Sequence, residues 1–296
     1  MSVATSPATG RPYGLRRVCA CWGVPRSTFY AHDPAAPTAT SAGKRGPRTR
    51  LTDEQLLVHI REDLAASLFQ GEGHRKVWAR LRVQRDIRVS LKRVLRIMRE
   101  NHLLSPNRVP QGEPETHDGR ITTDAPNVMW GIDGARILTL DDGWVWAFPV
   151  VDHWNAQCMG WQVCKPGSAF EAAQALGMAL SAEYGSVGRD AARGVLLRMD
   201  HGCQFTSDHF QQQIRFWGIG ASFAFVAQPE TNGVAERFIR TLKEQAIYGR
   251  QFRNIEEVRV AIRTFVTHYN ASWLVEKRGY LSPAQARAQW RLVEAA

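Results

Sequence analysis

A change of hydrophobic period across a proline-rich stretch constrains this chain more than any other feature. Residues 104–126 carry Pro106, Pro110, Pro114 and Pro126 and little apolar material. Before that stretch the apolar spacing is helical, predicting amphipathic helices over 53–67, 74–84 and 90–102; in the third, Leu91, Val94, Leu95 and Met98 form the i, i+3, i+4, i+7 stripe. After it, NVMWGIDGARILTL, DGWVWAFPVVD and AQCMGWQVC are β-rich runs that predict an antiparallel meander. A helix over 168–184, a buried strand GVLLRM at 194–199, a helix over 205–217, a strand near 220–226 and a helix from Val234 onward follow. Residues 254–270 and the tail LSPAQARAQWR read as further helices. Three strands followed by alternating helices and strands predict an α/β layout, a mixed sheet with helices on both faces.

Charge is divided as unevenly as period. The 296 residues carry a net charge of +10, with 19 Lys/Arg against 8 Asp/Glu in residues 1–100 and 19 against 20 thereafter. A near-neutral body behind a basic front end suggests delivery to a polyanion, most plausibly nucleic acid. The five cysteines are odd in number and scattered, which fits neither a disulfide framework nor a zinc site; Cys19 and Cys21 read as small core residues. Residues 1–30 lack a signal-peptide pattern and no apolar run is long enough to span a membrane, so the expectation is a soluble, cytoplasmic protein acting at the nucleoid.

Residues 14–30, GLRRVCACWGVPRSTFY, read as a helix, a turn at Gly23 and a second helix opening at Pro25. That is helix-turn-helix grammar, and it points Arg26 and Ser27 at DNA. Residues 31–50 are a basic linker rich in Pro, Ala and Thr. On the helix over 74–84, Arg75, Lys76, Arg80 and Arg82 stand opposite Val77, Trp78 and Leu81; on the next, Lys92, Arg93, Arg96 and Arg99 stand opposite the apolar stripe. Two neighbouring cationic strips without matching acids favour phosphate binding over a merely solvated face.

Three carboxylates stand out in the second half. Asp133 interrupts an apolar strand and Asp200 directly follows GVLLRM, where a buried charge is costly unless paired or metal-bound. On neighbouring strands the two would lie about 5 Å apart and repel, a conflict that a divalent cation with oxygen ligands resolves. Glu236 supplies a third. From Val234 on, Val234, Ala235, Phe238, Ile239, Leu242 and Ala246 share one arc of about 140°, which leaves Glu236 outside the buried stripe with Arg240 and Lys243 one and two turns on.

Asp133, Asp200 and Glu236, with 35 residues between the last two, resemble the Asp-Asp(35)Glu signature of the transposase and retroviral-integrase superfamily. DHGCQFTS, PETNGVAERFIRTLKEQ and HYNASWLVEKRGYLSPAQAR resemble its flanking words, and residues 70–104 resemble the helix-turn-helix module of bacterial insertion-sequence transposases of the IS-three type, second reading frame (OrfB). The resemblance implies an RNase H-like core with a mixed five-stranded sheet of order 3-2-1-4-5, preceded by small all-α helix-turn-helix modules. It implies a DDE transposase that binds its element's terminal inverted repeats and carries out metal-dependent strand cleavage and strand transfer. Asp133, Asp200 and Glu236 would hold two Mg²⁺ ions, with Mn²⁺ able to substitute, and Arg240 and Lys243 would contact the DNA backbone beside the scissile phosphate.

The expected division is a partial helix-turn-helix over 1–30, the linker 31–50, a helical DNA-binding module over 51–104, a linker over 105–126, the catalytic core 127–250 and a helical extension over 251–296. Partners implied are double-stranded DNA, further copies of the chain on that DNA, and the upstream-frame product (OrfA) or a fusion with it, because no zipper follows Met1. The integrase-type His-His-Cys-Cys zinc domain has no counterpart here. Asp152 is expected to cap a turn before Ala156, Glu171 to be a helix-face residue and His201 a hydrogen-bonded neighbour of Asp200. Two rivals stand beside this reading. One is a DNA-binding regulator with a decayed core, against which the intact triad speaks; the other is a ribonuclease of the same fold, disfavoured by the basic N-terminal modules.

Overall fold

The apolar run that begins at Met129 folds as two strands, because the chain breaks at Asp133–Gly134. In the computed structural model, which describes residues 4–31, 51–105, 121–224 and 232–294, these are β1 (Met129–Ile132) and β2 (Ala135–Thr139). They are followed by β3 (Gly143–Asp152), β4 (Cys158–Cys164), β5 (Leu196–Met199) and β6 (Gly220–Phe223). β3 is long enough to pair antiparallel with both β1 and β2 along one edge and with β4 along the other. β5 joins β1 in parallel and β6 joins β5 in parallel. Counting β1 and β2 as one broken strand, the order across the sheet is third, second, first, fourth, fifth, the RNase H-like arrangement.

The chain divides into two units, Met1–Arg50 and Leu51–Ala296. In the first, α1 (Leu15–Cys21) and α2 (Arg26–Ala31) flank a turn with Gly23 at φ 63°. Cys19 is buried but Cys21 is exposed, which corrects the reading of both as core residues: two positions apart on a helix they point to different sides. Residues 32–50 and 106–120, most of the two expected linkers 31–50 and 105–126, and residues 225–231 lie outside the described residues.

The second unit opens with α3 (Asp53–Ala66), α4 (His74–Val83) and α5 (Leu91–Glu100). Thr52 and Gln55 form a capping box on α3, and Ser90 caps α5. Leu56, Ile60, Val77, Leu81, Val94, Ile97 and Met98 fill the core of this three-helix module. Its α3–α4 loop leans on the rest of the unit: Phe69 packs edge-on against Trp273, and Gln70 and Gln245 exchange two hydrogen bonds of 2.9 and 2.8 Å.

Two helical layers cover the sheet. One face packs against α6 (Ala169–Tyr184), with Trp130, Ile132, Phe148 and Leu197 among the residues it buries, together with Phe205 of α7 (Cys203–Thr206) and Phe210 and Ile214 of α8 (Asp208–Phe216). The predicted helix over 205–217 is thus split at Ser207, whose Oγ accepts from the Phe210 N–H and restarts the helix. The other face packs against α9 (Gly233–Leu242), its π-helical continuation Lys243–Ile247, and α10 (Ile255–Ser272). As the periodicity predicts, Ala235, Phe238, Ile239, Leu242 and Ala246 are buried. The chain closes with α11 (Pro283–Glu294). No described helix is long and apolar enough to cross a membrane.

Gly160 lets α6 approach β4, since a Cβ there would lie 2.6 Å from both the Ala175 carbonyl oxygen and the Ala179 nitrogen. Both obstacles are helix backbone and cannot swing aside. Gly160→Ala is therefore expected to cost about 1–3 kcal/mol, read as a lowered denaturation midpoint with an unchanged denaturant slope.

Candidate active site

Pairing of β1 with β5 aligns Met129 with Leu196, Trp130 with Leu197 and Gly131 with Arg198. Continued by two residues, that register sets Asp133 beside Asp200, about one strand spacing of 4.8 Å away. Both follow the carboxyl ends of parallel strands, the edge at which open α/β sheets carry functional groups. Glu236 comes from the first turn of α9, which is tied to the same edge by the Asn232 amide: its Nδ2 donates to the Ile132 carbonyl at 3.1 Å.

Electrostatics shows the three carboxylates to be neighbours. Burial pushes the Asp133 carboxyl up from its ordinary 3.8, and the negative charges of Asp200 and Glu236 push it further, against the 2.7 Å hydrogen bond from the Gly134 N–H and the charge of Lys243, to about 6. The expectation that both aspartates are buried needs correction. Asp133 is half-buried but Asp200 is exposed, because β5 ends at Met199 and the chain turns into solvent; one Asp200 oxygen accepts from the Gly202 N–H at 2.9 Å. The desolvation cost therefore falls on Asp133, and mutual repulsion accounts for the rest.

Three anionic oxygen donors, one raised by burial and by the charge of the others, suit a hard divalent cation. They are near but not gathered: among the described residues no three His, Cys, Asp or Glu side chains are grouped to hold an ion. Lys243, at the start of the π-helical turn, faces Asp133 closely enough to offset its shift, while Arg240 is exposed.

His201 is hydrogen-bonded, but to a neighbour other than Asp200: its Nε2 lies 2.9 Å from the Ala224 carbonyl and its ring stacks on Phe223. Glu171 is half-buried on α6 and is not among the charges that act on Asp133. Asp152 does hold a turn, its backbone carbonyl accepting from Ala156 and its Oδ1 from the Trp154 N–H, but it is also fully buried against Arg287 of α11.

The cationic strips differ from their sequence reading. Arg80 is buried, bound to Asp63 at 2.7 Å and to Glu72, so it is no surface phosphate contact. Lys76 faces Glu72 at 3.7 Å and lies over the Trp273 ring. Arg93 and Arg96 both bind Asp53, at 2.8 and 2.6 Å, and Arg96 also binds Glu100 at 2.9 Å. Much of each strip is matched after all, mostly by acids that other segments supply and that spacing along one helix does not display. Arg75 pairs only at the surface, with Glu276 at 3.2 Å, and Lys92 is exposed; in the first unit Arg26 and Ser27 are exposed on α2. Sequence reasoning missed the Asn232 contact to β1, since Asn-Gly reads as a turn pair and its partner lies 100 residues upstream.

A family described as Integrase core domain matches residues 218–283, which include Glu236, and an HTH-like domain matches residues 53–111. The chain is 28% identical over 253 residues to an insertion element IS2A uncharacterized 48.2 kDa protein of Escherichia coli, covering 83% of this chain and 58% of that one. It is 28% identical over 245 residues to the E. coli transposase InsD for insertion element IS2A/D/F/H/I/K, covering 80% of this chain and 78% of that one. Among solved structures, the catalytic core domain of BIV integrase is similar at a TM-score of 0.41 and 19% identity, covering 57% of this chain and 99% of that one.

Proposed function

We propose, from its kinship with the insertion-element transposases of the IS-three type, whose integrase core and HTH-like domains it carries, that this chain is a DDE transposase. It binds the terminal inverted repeats of its own element and catalyses metal-dependent DNA strand cleavage and strand transfer. The observation that supports the reading is that Asp133 and Asp200 follow the carboxyl ends of the paired parallel strands β1 and β5, with the Asp133 carboxyl raised by burial and by the charges of Asp200 and Glu236.

In this reading Asp133, Asp200 and Glu236 hold the divalent ions. Mg²⁺ held there would supply Lewis-acid activation of the attacking water or 3′-hydroxyl and charge stabilisation for the leaving oxygen. Lys243 and the exposed Arg240 receive the phosphate backbone beside the carboxylates. The remaining contacts are distributed by exposure: Arg26 and Ser27 on α2, Lys92 on α5, and Arg75, whose surface ion pair with Glu276 is weak enough to exchange for phosphate. Lys76, Arg93 and Arg96 reach phosphate only from within their existing ion pairs, and Arg80 instead holds α4 to α3. Acting on both element ends at once calls for at least two copies of the chain on DNA, and a zipper-bearing upstream-frame product, separate or fused, would serve that assembly.

The test is cleavage of a duplex carrying the element's terminal repeat, with Mg²⁺, comparing wild type and Glu236→Gln at equal DNA occupancy. Cleavage by the wild type alone is the expected result. Equal cleavage by both removes Glu236 from the chemistry; binding without cleavage by either leaves a DNA-binding regulator or an incomplete assembly.

A further inference from the structure

Asn232 stands where an asparagine normally caps a helix, accepting from an N–H of the first turn. Here it makes no such bond. Its side chain turns back to the sheet instead, and Nδ2 donates to the Ile132 carbonyl, one residue before Asp133. The residue is 3% exposed and its Oδ1 has no hydrogen-bond partner among the described residues. A buried acceptor left unpaired opposes folding, so stability alone is a poor account of this amide.

Position is a better account. Across the same gap, a Cβ on Gly131 would lie 2.9 Å from His153 Nε2, 3.0 Å from Asn232 Oδ1 and 3.3 Å from the Ala235 Cβ. The start of α9 is thus drawn onto β1 as closely as a residue without a side chain permits, and one hydrogen bond fixes it there. Asp133 follows Ile132 directly, and Glu236 lies one helical turn beyond Asn232.

We infer that Asn232 is a positioning residue: its amide, closed over Gly131, sets the spacing between Asp133 and Glu236 and so the affinity of their metal site. The inference rests on the reading of those carboxylates as metal ligands. Ligand placement tolerates only a few tenths of an ångström, and groups that orient ligands from behind change metal affinity about 10–100-fold when removed.

The measurement is a calorimetric titration of the whole chain with Mn²⁺, without DNA, on wild type, Glu236→Gln, Asn232→Ala and Gly131→Ala, each checked for cooperative thermal unfolding. Wild type is expected to show a site that Glu236→Gln removes. Asn232→Ala should weaken that site about tenfold or more. Gly131→Ala keeps every polar group but forces α9 outward, and should weaken it in the same direction; if Asn232→Ala does not fold, this variant carries the test. The double variant should be less impaired than the product of the two single losses, because deleting the Asn232 side chain removes one obstacle to the new methyl group. A wild-type site left unchanged by both substitutions would overturn the assignment alone. A wild type with no Glu236-dependent Mn²⁺ site would overturn the metal reading, and this assignment with it.

Discussion

Asp133→Asn is expected to abolish function and stabilise the metal-free fold at the same time. Mg²⁺-dependent cleavage should fall by about a thousandfold or more, the scale of losing a group that fixes transition-state charge. The stability effect follows from linkage. The folded-state value of about 6 lies above the ordinary 3.8, so the folded protein holds this proton more tightly than the unfolded chain does. Stability from this group is greatest below about pH 4, declines as pH rises through the window to 6, and stays lower above it. The amide mimics the protonated carboxyl and should lose that slope, gaining on the order of 2 kcal/mol at pH 7 after allowance for partial exposure. Denaturant midpoints from pH 4 to 8 for both proteins test this. Saturating Mg²⁺ should reverse the wild-type decline and leave the variant unmoved. A wild-type curve parallel to that of the variant would mean that burial and the neighbouring carboxylates do not raise Asp133.

That opposition between stability and function also explains why a candidate site was legible before the structure. A carboxylate at the end of an apolar strand is an anomaly that sequence displays directly, and Asp133 and Asp200 both sit at such ends. The buried stripe of α9 was equally readable, because helical period depends only on local spacing. What sequence does not display is contact between distant segments. Arg80 looks like its neighbours on α4, yet Asp63 and Glu72, 17 and 8 residues upstream, fold around it and remove it from the surface. The break at Asp133–Gly134 was hidden for a similar reason: its flanks are good strand formers, and only the rings of Trp146 and Phe148, about 3 Å from where a Gly134 Cβ would sit, show why a side chain is excluded there. The π-helical turn at Lys243–Ile247 has no local signature in a run of good helix formers. It is evident only where Gln245 reaches the α3–α4 loop.

The most damaging single change to stability is expected at Arg287, on the C-terminal helix α11. Its guanidinium, 4% exposed, binds Asp152, donates to Gln157 Oε1 at 2.9 Å and to Asn127 Oδ1 at 3.1 Å, and pairs with Glu183 at 2.9 Å. Asp152 is wholly buried, and burial pushes its carboxyl up against the opposing pull of Arg287. Arg287→Ala would strand that carboxylate and loosen α11 from the end of β3, at a cost of about 3–5 kcal/mol, lowering the melting temperature by roughly 10 °C. The sign of the pH dependence is fixed. Without Arg287 the folded-state value of Asp152 rises further above its unfolded value, so the loss should be smaller at pH 5, where the stranded carboxyl can take a proton, than at pH 8. Replacing both partners by apolar residues, Asp152→Leu with Arg287→Met, should recover much of the loss, because no buried charge is left unpaired. Thermal unfolding of the three proteins at both pH values decides the matter. A loss in Arg287→Ala that did not depend on pH would assign the cost to packing of α11 rather than to the buried pair. Because β3 pairs with β1, the same experiment tests whether the C-terminal helix supports the strand that precedes Asp133.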